Sequence, residues 1–122
     1  MDELLKRPDM LAGAQKAAIA NDDTTLAKYV FEELRFQPNS SGVMRVSLQD
    51  SIIGKGTSHA THIPAGTTLL VATQSAMFDQ TIVEMPTEFR IDRPASDYLH
   101  WSIGLHSCFG PVHPSGADSW NS

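Results

Sequence analysis

The sequence predicts a mainly α protein with a small β-sheet (α+β), and three observations predict it. Apolar residues recur at helical spacing through the first third of the chain, short runs of β-formers follow, and a long proline-punctuated segment comes last. In the helical part, Pro8 stands where the first turn of a helix tolerates proline, and Met10, Leu11, Ala14, Ala17 and Ala18 follow at helical spacing. Asn21-Asp22-Asp23-Thr24 is a break rich in N-cap residues, and its acidic groups favour the positive end of the next helix. That helix is expected from about Thr24 to Phe36, with Leu26, Tyr29, Val30 and Leu34 along one side. Pro38 and the run Asn39-Ser40-Ser41-Gly42 end it.

From Val43 the period changes. Val43 to Leu48 is short and contains β-formers, which predicts a strand, and Thr67 to Val71 predicts a second. Ile63-Pro64-Ala65-Gly66 between them reads as a tight turn. Beyond Thr73 regularity is lost. Met77-Phe78 and Ile82-Val83 are isolated apolar pairs, and Pro86, Pro94, Pro111 and Pro114 interrupt anything longer. There is no internal repeat and no low-complexity tract.

Bulk composition narrows the function. At 122 residues and 41% hydrophobic, the chain suffices for one compact domain with a modest core, and not for two. Charged residues make up 19% and the net charge is −5, without a Lys/Arg cluster, so neither nucleic acid nor an anionic membrane finds a footprint. The single cysteine excludes an internal disulfide and suggests a reducing compartment. Leu69 to Ala72, the longest aliphatic stretch, is too short to span a bilayer, and no charged-then-apolar leader precedes the helices. A cytoplasmic protein without membrane or nucleic-acid partners is expected.

A long irregular segment in a small protein is usually functional or disordered. This one carries the only cysteine, together with His100, His106 and His113. Taken alone, a lone cysteine reads more readily as a small buried hydrophobe than as a ligand.

The surrounding residues change that balance. Trp101-Ser102-Ile103-Gly104-Leu105-His106-Ser107-Cys108-Phe109-Gly110 resembles the haem-binding signature of the cytochromes P-450, with Gly104, His106, Cys108 and Gly110 in register. Trp101 stands at the aromatic position, where the family usually has Phe. The resemblance implies that Cys108 is the axial thiolate ligand of the iron and that His106 reaches a haem propionate. Gly104 and Gly110 would let the loop pass close to a flat macrocycle. A proximal thiolate donates electron density to the iron and favours O–O cleavage.

Upstream matches follow in the family's order. Glu32 and Arg35 fit the Glu-x-x-Arg motif of its K helix, a spacing that puts both side chains on one helical face. Without that context the pair reads as an ordinary solvated one, worth ~0.2–0.5 kcal/mol. Arg45 falls where the family carries an arginine on a haem propionate; otherwise it reads as a surface strand residue. Ile63-Pro64-Ala65-Gly66 matches a family turn, and Phe89-Arg90-Ile91-Asp92-Arg93-Pro94 resembles the meander before the haem loop. Each match is weak alone, and five in order are strong together. They cover about Pro8 to Gly110, and the likeness is greatest to soluble bacterial-type members.

The implied fold is a partial cytochrome P-450 fold in a single domain over residues 1–122. Residues 1–38 supply J/K-like helices, 39–95 small strands and meander, 96–110 the haem-binding loop and 111–122 a divergent tail. The implied cofactor is haem b (iron protoporphyrin IX), the family reaction is O2-dependent hydroxylation of a small organic substrate, and a redox partner supplies electrons. No residue is assigned a catalytic role.

Three departures qualify this reading. The sequence matching the family's long oxygen-activating helix is absent, so the chain is expected to be truncated and not competent alone. Pro111 to Ser122 cannot form the apolar helix that follows the cysteine in the family, and suggests a frame change or a degenerate terminus. In the meander, Glu88 stands where an arginine usually completes the Glu–Arg pair, leaving Arg90 and Arg93 as replacements.

Other classes compete. One is a small haem-binding or haem-sensing protein using Cys108 and His106 without oxygen chemistry. Another is a zinc module of His100, His106, Cys108 and His113, which lacks the short C-x-x-C turns usual in structural sites. His59 and His62 read as surface loop histidines. A cofactor-free interaction domain would show a large exposed apolar patch. Truncation predicts such a patch too, and with it aggregation or partial disorder in isolation.

Overall fold

In the computed structural model, the protein is described over residues 2–101. The helices are α1 (Asp2–Leu5), α2 (Pro8–Ile19), α3 (Asp23–Phe36) and α4 (Thr73–Ala76), and a 3-10 turn covers Ala95–Asp97. The strands are β1 (Val43–Val46), β2 (Ser51–Ile53), β3 (Thr61–Ile63) and β4 (Thr68–Val71). They fall into two compact units, one spanning residues 42–72 and the other the chain on both sides of it.

The helical unit starts as the sequence dictates. Pro8 opens α2, and Asp22 caps α3 by accepting the Thr25 N–H at 3.0 Å. Asn21 takes the left-handed conformation (φ 53°) that lets the chain reverse between them. Leu4, Ala14, Tyr29 and Phe89 form the buried core, with Met10, Leu11, Leu26, Phe36 and Ile91 packed against it. Helix α1 was not evident from the sequence. Its first-turn amides are capped from α3, where the Glu33 carboxylate accepts the Leu4 N–H at 2.6 Å and the Glu3 N–H at 3.3 Å.

One packing expectation is corrected. Val30 does not lie on the core side of α3, being 47% exposed. In its place α3 buries a polar stripe, Glu32, Glu33 and Arg35, because a charged centre sits where an apolar one was expected.

The other unit holds two antiparallel pairs nested in sequence. β1 pairs with β4 in the register Val43↔Val71 and Arg45↔Leu69, and inside that closure β2 pairs with β3, Ser51 opposite Ile63. The inner pair was not foreseen. The first expected strand also stops at Val46 rather than Leu48: the Ser47 N–H still meets the Thr67 carbonyl, but the Ser47 carbonyl accepts from Gly66 in the turn instead of from Thr67. In that turn the Pro64 carbonyl accepts the Thr67 N–H at 3.2 Å, so Ala65 and Gly66 are its middle residues. Gly66 has φ +81°, which such a turn requires at its third position. Among the described residues, no helix is long and apolar enough to cross a membrane.

Candidate functional site

The site is built around Glu32, which is fully buried on the last turns of α3. Its carboxylate would be costly there without partners. Arg35, one turn on, donates from Nη2 to Oε1 at 2.8 Å and from Nε to Oε2 at 3.1 Å, a two-pronged pair with both side chains wholly removed from solvent. The Glu-x-x-Arg spacing therefore makes a buried pair, not a solvated one.

Arg93 is the third member. Its Nε donates to Glu32 Oε1 at 3.1 Å, and the backbone N–H of Arg90 reaches the same oxygen at 3.0 Å. The side chain of Arg90 turns outward to Asp92, at 2.9 and 3.0 Å. Of the two candidates to replace the arginine missing at Glu88, Arg93 takes the place.

The arginines also organise the irregular segment through its carbonyls. Arg35 donates to the carbonyls of Met77, Pro86 and Glu88 at 3.1, 2.7 and 3.0 Å. Arg93 donates to those of Glu84, Met85 and Glu88 at 2.6, 2.8 and 2.9 Å. Residues 84–88 have little regular structure of their own, and a guanidinium's five fixed donors substitute for it. Burial pushes the Glu32 carboxyl upward, but the bonds from Arg35, the Arg90 N–H and Arg93 outweigh it and hold the group below the usual carboxylate range.

On the far side of Glu32 lies the stretch that leads toward the cysteine. Tyr98 donates its hydroxyl to Glu32 Oε2 at 3.1 Å, and burial followed by the adjacent carboxylate pushes that phenol up. His100 places Nε2 3.0 Å from the Phe31 carbonyl; as the donor it leaves Nδ1 a bare acceptor. Burial pushes the imidazole down, consistent with a neutral ring. Phe31, Tyr98, His100 and Trp101 pack ring to ring in edge-on and tilted contacts, with ring centroids 5.6–6.4 Å apart.

Trp101 and His100 line a cavity of about 190 Å³ with Leu34, Pro38, Asn39 and Ser40. His100 Nδ1 and Trp101 Nε1 are buried and have no hydrogen-bond partner among the described residues. An aromatic plane beside a cavity, with unused polar atoms, fits the edge of a flat cofactor. The volume is below the ~300–1,000 Å³ of a complete ligand pocket.

The remaining sequence-predicted residues separate. Arg45 is exposed in β1, its guanidinium turned back on the Met44 carbonyl at 2.9 Å. Gly104, His106, Cys108 and Gly110 lie outside the described residues, as does His113. Among the described residues, no three His, Cys, Asp or Glu side chains come together as a metal site. His100, assigned to the zinc alternative, is turned to a helix carbonyl. His62 is an exposed surface residue 3.5 Å from Asp50. The sequence reading missed Tyr98 and Glu33, polar residues whose partners lie 66 and 29–30 positions away and leave no local signal.

Comparison with known proteins bears on this arrangement. The family model for cytochrome P-450 matches residues 22–111. A steroid C26-monooxygenase of Mycolicibacterium smegmatis is 28% identical over 109 residues, 89% of this chain and 25% of that protein. Cytochrome P-450 BJ-1 of Bradyrhizobium diazoefficiens is 31% identical over 79% of this chain and 23% of its own length. Among solved structures, CYP105P2 of Streptomyces peucetius, in complex with a biphenyl compound, superposes with a TM-score of 0.68 at 34% identity, over 89% of this chain and 25% of that one. The ligand-free monooxygenase TamI gives 0.65 at 28% identity, over 86% of this chain and 24% of that one. The chain spans about a quarter of the length of the relatives it matches.

Proposed function

Since the chain belongs to the cytochrome P-450 family, we propose that it is the haem-thiolate binding portion of a monooxygenase, in which the Cys108 thiolate would ligate the iron. The observation that carries this reading is the buried Glu32–Arg35–Arg93 centre, which ties α3 to the irregular segment preceding the cysteine. A buried ion pair is by itself weak evidence for stability; here it fixes residues 77–93 beside α3 through named bonds. In this reading residues 1–122 form a single partial domain. Trp101 would face the haem, His106 and Arg45 would hold its propionates, and Gly104 and Gly110 would allow the backbone to approach the ring. Glu32 and Arg35 hold the scaffold.

When bound, the haem b supplies oxygen-activating chemistry, with electron density from the sulfur favouring O–O cleavage. The residues of this chain would bind and orient it. Hydroxylation of a small organic substrate, and receipt of electrons from a redox partner, would belong to the complete arrangement found in longer relatives.

The test is an absorption spectrum of the purified chain with added haem, reduced under carbon monoxide, beside a Cys108→Ala control. A strongly red-shifted thiolate-type Soret band that disappears in the control supports the reading. No haem uptake, or an unchanged band in the control, removes it. A second reading is haem binding or sensing without oxygenase activity. It predicts the same spectrum without substrate turnover when reductant and dioxygen are supplied.

A further inference from the structure

Three consecutive residues just before the cysteine loop are each bound to a different group of the helical unit. Tyr98 Oη donates to Glu32 Oε2 at 3.1 Å, the Leu99 N–H to Met77 Sδ at 3.2 Å, and His100 Nε2 to the Phe31 carbonyl at 3.0 Å. Extended chain alternates its side chains. Thus Tyr98 and His100 both meet α3, at adjacent residues Glu32 and Phe31. The main chain between them is held by a thioether that is only 1% exposed.

These anchors belong to one network. Arg35 pairs with Glu32 and also donates to the Met77 carbonyl, so the acceptors of Tyr98 and Leu99 are themselves fixed by the same guanidinium. Phe31 adds an edge-on contact with Tyr98, ring centroids 5.7 Å apart at 72°.

We propose that Tyr98 and His100 are positioning residues that latch residues 98–101 onto the Phe31–Glu32 turn of α3 and thereby fix where the cysteine loop begins. The inference rests on the haem-thiolate reading for its purpose, but the latch itself is a property of the chain without cofactor. Neither residue is a ligand of the iron in that reading. They act through the loop, ten and eight residues ahead of Cys108 in the sequence.

The experiment uses the full chain with Tyr98→Phe, His100→Phe and both together, substitutions that keep the rings and remove the donors. Two readouts are taken. Hydrogen exchange of residues 98–101 in the cofactor-free chain is expected to accelerate by about tenfold in the double variant, the order expected for the lost hydrogen bonds. In the haem-loaded chain, the fraction showing the thiolate-type carbon monoxide band is expected to fall while total bound haem is retained. Unchanged exchange overturns the latch. Faster exchange with an undiminished thiolate fraction overturns the positioning role and leaves a purely structural contact. If the unsubstituted chain takes up no haem, the haem reading fails, and exchange at 98–101 still decides the latch.

Discussion

Arg93 reaches Glu32 across 61 residues of sequence and meets it at 3.1 Å with its own side chain only 2% exposed. One carboxylate thus faces two guanidinium groups in a site without solvent, and each partner is needed to satisfy the others.

Removing the carboxylate leaves two buried cations facing each other. Glu32→Ala is expected to destabilise the chain by about 3–5 kcal/mol, the range found on breaking buried pairs. Urea unfolding followed by far-UV circular dichroism measures this directly. A loss below 1 kcal/mol would show that the site rehydrates without cost.

The two meander arginines are expected to differ sharply. Arg93→Lys keeps the charge but loses the fork that binds Glu32 and three carbonyls, so its unfolding midpoint should fall clearly. Arg90→Lys disturbs only pairs with the exposed carboxylates of Asp92 and Glu84 and should match the parent. The reverse order would reassign the third member of the centre.

Stability is expected to decline at both ends of the pH scale, for different residues. Glu32 has a lowered pKa in the fold, so the unfolded chain binds more protons in acid; its contribution is present above the ordinary value of 4.5 and is lost as pH falls through the lower folded value. His100 is also lowered, so stability begins to drop as pH falls below about 6.5, and His100→Phe should remove that part of the slope. Tyr98 is raised; its contribution is complete below the ordinary value of 10.0 and declines as pH rises toward the folded value. Tyr98→Phe should flatten the alkaline limb alone. Urea titrations at stepped pH separate the three.

Gly13 tests packing against propensity. In an exposed helix Gly→Ala gains about 1 kcal/mol. Here a Cβ would collide with the hydroxyl end of buried Tyr29, and overpacking costs about 1–3 kcal/mol. Net destabilisation is expected for Gly13→Ala, and Gly13→Ala with Tyr29→Phe should recover stability relative to Gly13→Ala alone. A more stable single variant would mean that the ring moves freely.

Much of this was legible in the sequence. Pro8, the Asp22 cap and the Glu32–Arg35 spacing announce α2, α3 and the pair, because helical signals are local and periodic. The inner strands Ser51–Ile53 and Thr61–Ile63 were illegible for the opposite reason. All but Ile63 are exposed, so no alternation of apolar and polar residues marks them. The choice between Arg90 and Arg93 had no period to decide it either, since both lie in an irregular segment shaped by guanidinium–carbonyl bonds. Glu33 looks like a surface acid on α3, and only the approach of α1 reveals it as a cap.

The nesting of the strand pairs has a kinetic consequence. Joining Val46 to Thr68 directly means closing a loop of about twenty residues, an entropic cost that grows with loop length. Once Ile53 and Thr61 have met, most of that loop is already folded back on itself, and the ends that remain to be joined are short. The hairpin at residues 51–63 therefore acts as the starting point of a zipper that runs outward to Val43 and Val71. A substitution that hinders the bend at Gly54, held at φ +67°, would slow the formation of β1 and β4, neither of which contains it.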